Sequence, residues 1–198
     1  MRAHRSLIVA LMAVIVQACA FIDNEVQLEY QSVAGLTPNP NNARIIFLSL
    51  IEDSRPDKSR LGVIRNTYGM ETAKVLSNDD ARIWVSNTLK GNFEQAGYTV
   101  RAVDGAFVPS ADQFHLSGEL SKAYSDPQMG FFTITMRGDV QATMQAEYQG
   151  RRSQKLIAGQ YEEESLISTG GDLHKRVLNN ALSDFVRKVM LWLDELKS

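Results

Sequence analysis

Cys19 is the only cysteine among 198 residues, so the chain has one thiol to offer as nucleophile, metal ligand or acyl acceptor, and an internal disulfide is excluded. Outside the first few residues the histidines are His115 and His174, far apart and each without a second ligand at metal-binding spacing. Both are expected to be solvated, and no metal site is assigned. Glu162-Glu163-Glu164 is an acidic run, but consecutive strand residues point to alternate faces and cannot converge on one cation. A solvated run is expected there, and ordinary turn solvation at Arg151-Arg152. The chain carries no Gly-x-Ser-x-Gly elbow and no phosphate-cradling glycine loop. No catalytic residue is therefore assigned, and the chain is not expected to be an enzyme. A hydrolase built on two carboxylates stays open, because such a pair converges only in the fold.

One further segment holds interest. In Asn66-Thr67-Tyr68-Gly69-Met70, Asn and Gly tolerate left-handed geometry, and Tyr68 and Met70 are large side chains in a polar setting. Either Asn66, Tyr68, Gly69 and Met70 form a partner-binding loop, or Tyr68 and Met70 fold back over a sheet edge as a lid on the core. Exposure of Tyr68 distinguishes the two.

The sole thiol is placed by what precedes it. Arg2, His4 and Arg5 open the chain, an apolar run spans residues 6–16, and Gln17-Ala18-Cys19 follows, which is the three-part plan of an export signal. The run is too short to span a bilayer, which takes about 20 apolar residues. Val16-Gln17-Ala18-Cys19 resembles the lipobox of bacterial lipoproteins, although Val16 and Gln17 depart from its usual Leu and Ala or Ser. That resemblance implies a signal peptide over residues 1–18 and a Cys19 carrying diacylglycerol on sulfur and an acyl chain on its new amino terminus. Several chains together hold where a single one does not. Ala20 in place of Asp implies, by likeness to lipoprotein sorting signals, the outer membrane and its periplasmic face. Ala18-Cys19-Ala20 also fits ordinary secretory cleavage, which would discard the thiol and release a soluble protein.

Composition bounds the rest. Apolar residues at 44% and charged residues at 22% are near globular averages, so the chain should build a core. A net charge of -2, with no basic stripe interleaved with aromatics, argues against a nucleic-acid partner. Residues 19–42 end in Thr37-Pro38-Asn39-Pro40-Asn41-Asn42 and read as a lipidated, flexible tether; residues 43–198 read as a single domain. The run at 44–51 predicts a central strand, paired with a second at 61–64. Ser77-Asn78-Asp79-Asp80 predicts a helix N-terminus, Ala81, Trp84, Val85, Leu89, Phe93 and Ala96 its buried band, and Gly97 its end. Strands follow from Tyr98, from Gln113, over 132–148 with strict alternation, and over 155–163, with Asp126-Pro127-Gln128-Met129-Gly130 read as a turn. Residues 172–196 carry an apolar band wider than a surface helix needs. The expected fold is α+β, order β-β-α-β-β-β-α, with a mainly antiparallel sheet and two helices on one face.

Leu61-Gly62-Val63-Ile64-Arg65-Asn66-Thr67-Tyr68-Gly69-Met70-Glu71-Thr72, the helix with Trp84 after it, and Gly97-Tyr98 resemble the YajG family of bacterial lipoproteins, over most of the mature chain. The resemblance implies an uncharacterised envelope protein with no assigned activity, and it supplies no catalytic residues. Three functions are carried forward. One is a non-enzymatic binding or accessory module for an envelope protein or lipid partner, with no cofactor beyond the lipid on Cys19. The others are an accessory subunit of a lipid or lipopolysaccharide transport system and a cell-wall hydrolase.

Overall fold

The computed structural model of the chain describes residues 22–39, 44–104, 107–110, 112–130, 133–165 and 170–197. Cys19, the leader, Pro40 to Asn42 and Phe132 lie outside the described residues. The strands are β1 (Asn24–Glu25), β2 (Ile45–Ser49), β3 (Glu52–Asp53), β4 (Arg60–Arg65), β5 (Glu71–Leu76), β6 (Thr99–Val103), β7 (Gln113–Met129), β8 (Ile134–Tyr148) and β9 (Arg151–Ser165). The helices are α1 (Ala81–Gln95), between β5 and β6, and α2 (Gly171–Lys197), after β9.

The period-2 alternation read from the sequence becomes an antiparallel meander of β7, β8 and β9. Met136, Gly138, Val140, Ala142, Met144, Ala146 and Tyr148 face inward along β8, and the residues alternating with them face the other side. β7 is longer than expected. The Asp126 to Met129 stretch, read as a turn, continues the strand, pairing Pro127 with Met136 and Met129 with Ile134. Pro127 is tolerated because β4 pairs with the other edge of β7 only at Gly62–Ser125, so beyond Ser125 that edge carries no ladder that needs another N–H. A register shift between Leu120 and Lys122 reverses the alternation. Before it Phe114, Leu116 and Leu120 face the core; after it Ala123 and Ser125 do.

The expected pairing of 44–51 with 61–64 does not occur. β2, β3 and β4 lie in tandem along one edge of β7, all parallel to it, so the two apolar runs follow each other instead of sitting side by side. β2 is flanked on its other side by β6, also parallel, and β4 by β5, antiparallel. The ladders with the most pairs are nonetheless antiparallel, and the fold is α+β.

Both helices contribute to one apolar cluster with the inward residues of the sheet. α2 buries Leu178, Ala181, Leu182, Phe185, Val186, Val189, Trp192 and Leu193. Its backbone comes so close to the sheet that a Cβ on Gly138 would strike the Val177 carbonyl and one on Gly159 the Ala181 carbonyl. α1 starts one turn later than the Ser77 signal suggests. Asp80 is its N-cap, accepting from the Arg82 N–H at 2.9 Å, while the Ser77 hydroxyl accepts from the Asp79 N–H. Gly97, at φ 99°, ends it.

The flexible tether expected over 19–42 does not describe residues 22–39, which lie against the domain. Val33 is fully buried, and its N–H donates to Asn92 Oδ1 at 2.7 Å. Asn92 Nδ2 donates to the Gln31 carbonyl, Trp84 Nε1 to the Glu29 carbonyl, and the Leu28 N–H donates to Asp79 Oδ2. Polar groups of α1 and its N-terminal loop hold this segment, which is why apolar periodicity did not announce it.

Candidate functional site

The Asn66 to Met70 segment is the turn that joins β4 to β5. Asn66 builds it: its side-chain oxygen accepts from the Tyr68 and Met70 N–H groups, both at 3.0 Å, and its carbonyl accepts from the Gly69 N–H at 2.9 Å. Gly69 sits at φ 79°, where a side chain would be strained. Arg65 fastens the turn from below, donating through Nη1 to the Gly69 carbonyl at 3.0 Å and through Nε to Asp126 at 2.8 Å. The Asp126 carboxylate raises the Arg65 pKa above its usual value. On this rigid frame Tyr68 is 86% exposed and Met70 59% exposed. They do not fold back over the core.

The start of the described chain lies beside β5, the strand that leaves this turn. β1 runs parallel to β5 with Asn24 opposite Val75, and Asp23 accepts from the Lys74 N–H at 2.7 Å. Ile22, one residue earlier, is exposed.

The outward face of the meander carries a shallow groove of about 460 Å³, lined by Phe107, Val108, His115, Ser117, Gln145, Glu147, Arg152 and Gln154 among others. Phe107 packs on Phe47 at 4.0 Å between ring centroids and edge-on to His115. His115, expected to be solvated, is half-buried and within 2.9 Å of the Ser49 hydroxyl. Burial lowers its pKa and outweighs the opposing Glu147 charge. Glu147 is itself taken by Arg152 at 2.9 Å. An adjoining hollow of about 380 Å³ has Glu52, Asp104 and Glu119 on its rim, all three exposed. Apolar rings beside amide, hydroxyl and paired charged groups suit recognition of a polar ligand or polypeptide surface.

His174 departs furthest from expectation. It is fully buried in the first turn of α2, with Nδ1 at 2.7 Å from the Ser125 hydroxyl, which in turn donates to the Leu61 carbonyl at 3.0 Å. Burial pushes its pKa down to about 4, against a smaller opposing effect from Asp126. The acidic run behaves as the alternation argument requires: Glu163 pairs with Arg176 at 2.7 Å, while Glu162 faces Arg137 at 3.6 Å. Among the described residues no three His, Cys, Asp or Glu side chains converge to hold a metal ion, and no helix is long and apolar enough to cross a membrane.

A family model described as "Uncharacterized lipoprotein" matches residues 37–191. No curated protein matches the chain. Among solved structures it is similar to a DUF330 protein from Xanthomonas campestris, with a TM-score of 0.54 and 13% identity over 87% of this chain and 94% of that one. It is also similar to a putative neuraminyllactose-binding hemagglutinin homolog from Helicobacter pylori, at TM-score 0.37 and 11% identity over 87% and 94% of the two chains. At such identity the Xanthomonas likeness speaks for the fold alone.

Proposed function

This chain belongs to a family of uncharacterized lipoproteins, the YajG family, and from that premise we propose that lipid on Cys19 anchors it to the outer membrane, facing the periplasm, as a non-enzymatic binding or accessory module for envelope assembly or maintenance. The observation that carries this reading is the placement of the only cysteine directly behind the apolar run of the leader, in a chain whose family is defined as lipoproteins. Covalent acyl chains bury enough methylenes, at about 0.8 kcal/mol each, to make attachment effectively permanent.

The surfaces available for binding are the outward groove around His115 and the turn at Tyr68. A lipid carrier would need an apolar groove between helix and sheet; that seam is filled, with Val177, Leu178, Ala181, Leu182 and Phe185 fully buried and the helix backbone against Gly138 and Gly159. This favours a module that binds a partner on its surface over one that carries acyl chains inside. For hydrolysis, the carboxylates beside the groove sit on an open rim, and Glu147 is engaged by Arg152.

The test is fatty-acid labelling of the wild type and Cys19→Ala, followed by separation of the two membranes. Label in the wild-type outer membrane, and an unlabelled soluble variant, is the expected result. A wild type that carries no label and fractionates with soluble proteins would contradict the anchor.

A further inference from the structure

We propose that the Tyr68–Met70 turn and Ile22 form a second, non-covalent contact with the bilayer, so that the domain stands with this end on the membrane and its groove at the far end. The inference rests on the lipid anchor at Cys19 and deepens it by fixing the orientation.

β1 is parallel to β5, so following the chain backward from Asn24 leads along β5 toward its first residue, Glu71, and the turn before it. At the register of Asn24–Val75, Ile22 is level with Ala73. Ile22 is three residue steps from Cys19, a reach of about 10 Å at 3.3 Å per residue. The same step along β5 leads from Ala73 to Met70. Ile22 and Asp23 are not at the end of a free tether, since Asp23 is bonded to Lys74 and the Val26 N–H to the Leu76 carbonyl, so a lipid on Cys19 would hold Ile22 and this stretch of β5 within about 10 Å of the bilayer.

The side chains presented there fit a bilayer interface. Tyr68, Met70 and Ile22 are all exposed, and a tyrosine with an apolar body and polar tip is suited to the headgroup level. Two carboxylates beside them are paired, Glu71 with Arg60 and Asp126 with Arg65, each at 2.8 Å, while Asp23 accepts from the Lys74 N–H. The turn is also preorganised by Asn66 and Arg65, so docking orders little that is not already ordered.

The other strands set what this orientation displays. β4 is parallel to β7 and β7 antiparallel to β8, so the C-terminal end of β7 and the start of β8 share the anchored end. The 15 residues of β8 then carry the sheet about 50 Å away. Glu147 and Arg152, which line the groove, lie at that distal end beside the turn at Gln149–Gly150.

The experiment uses the full lipidated protein in phosphatidylethanolamine–phosphatidylglycerol vesicles, with an environment-sensitive fluorophore on Tyr68→Cys or Arg151→Cys. The acylated Cys19 leaves the new thiol as the only one to label. Flotation with the vesicles reports the anchor, and phospholipid brominated near the headgroup reports depth. The expected result is a protein that floats, with the label at 68 losing about half its emission to the brominated lipid and the label at 151 keeping its own. A floating protein whose label at 68 is quenched no more than that at 151 overturns the proposal and leaves the anchor standing. Shielding of residue 68 only when envelope proteins are added assigns the turn to a protein partner and overturns it equally. A protein that does not float ends both readings, so flotation together with quenching separates failure of the anchor from failure of the contact.

Discussion

His174 shows how far a single side chain depends on its surroundings. Because the Ser125 hydroxyl is committed to the Leu61 carbonyl, the imidazole donates from Nδ1, and its Nε2 finds no polar partner among the described residues. The site therefore accepts the neutral ring, and burial holds its pKa near 4 against an ordinary 6.5. The folded value lies below the unfolded one, so the contribution to stability is complete above pH 6.5 and is lost as pH falls toward 4. Over the full window the loss is about 3 kcal/mol, at 1.36 kcal/mol per pKa unit. Urea unfolding at pH 7 and pH 4.5 should show a large fall for the wild type and a smaller one for His174→Gln. Equal falls would mean that this ring is not the titrating group. Asp53, Asp80 and Asp139 also titrate below their ordinary value, so their losses belong to lower pH. The sequence could not reveal this pairing. His174 sits beside Leu173 at the edge of the apolar band, and its partner Ser125 comes after the irregularity at Leu120–Lys122 that turns polar positions of β7 inward.

At the scale of elements, what was legible was periodic. β8 and α2 were readable because one repeats every 2 residues and the other about every 3.6, each with a continuous apolar face. β5, with Glu71, Thr72 and Lys74 interrupting its apolar residues, and the segment at 22–39 were not, because polar bonds position them. Asn92 concentrates those bonds. It is fully buried in α1, accepts from the Val33 N–H and donates to the carbonyls of Gln31 and Thr88. Asn92→Ala leaves buried backbone groups unpaired, which costs about 1–3 kcal/mol for each group so stranded. The expected outcome is a less stable domain whose residues 26–39 are cleaved in limited proteolysis before the sheet is. Asn87→Ala, on the exposed side of the same helix, should match the wild type in both measurements. If the two variants behave alike, the N-terminal segment is held by something other than Asn92. The turn at Asn66 was legible as a turn with large side chains, yet the choice between lid and projecting loop was not, since it depends on Arg65 bridging to Asp126, 61 residues away.

For the molecule as a whole, the proposed anchor and the outward groove lie apart. The amino-terminal strand lies along β5, which leaves the Tyr68 turn, and the groove with Phe107, His115 and Arg152 lies toward the other end of the long β7–β9 meander. The pairing order that creates this separation came from contacts distant in sequence, such as Gly62 with Ser125, and no local pattern announces them. Family membership and the α+β class were both within reach of the sequence, because the leader, the alternating strands and the final helix are local signals. Membrane attachment as proposed depends on the chemistry of Cys19. Intact mass spectrometry of the protein extracted from membranes reads that chemistry directly: the predicted mass is that of a chain starting at Cys19 and carrying a diacylglycerol and an amide-linked acyl chain, and the mass of an unmodified polypeptide starting elsewhere would contradict it.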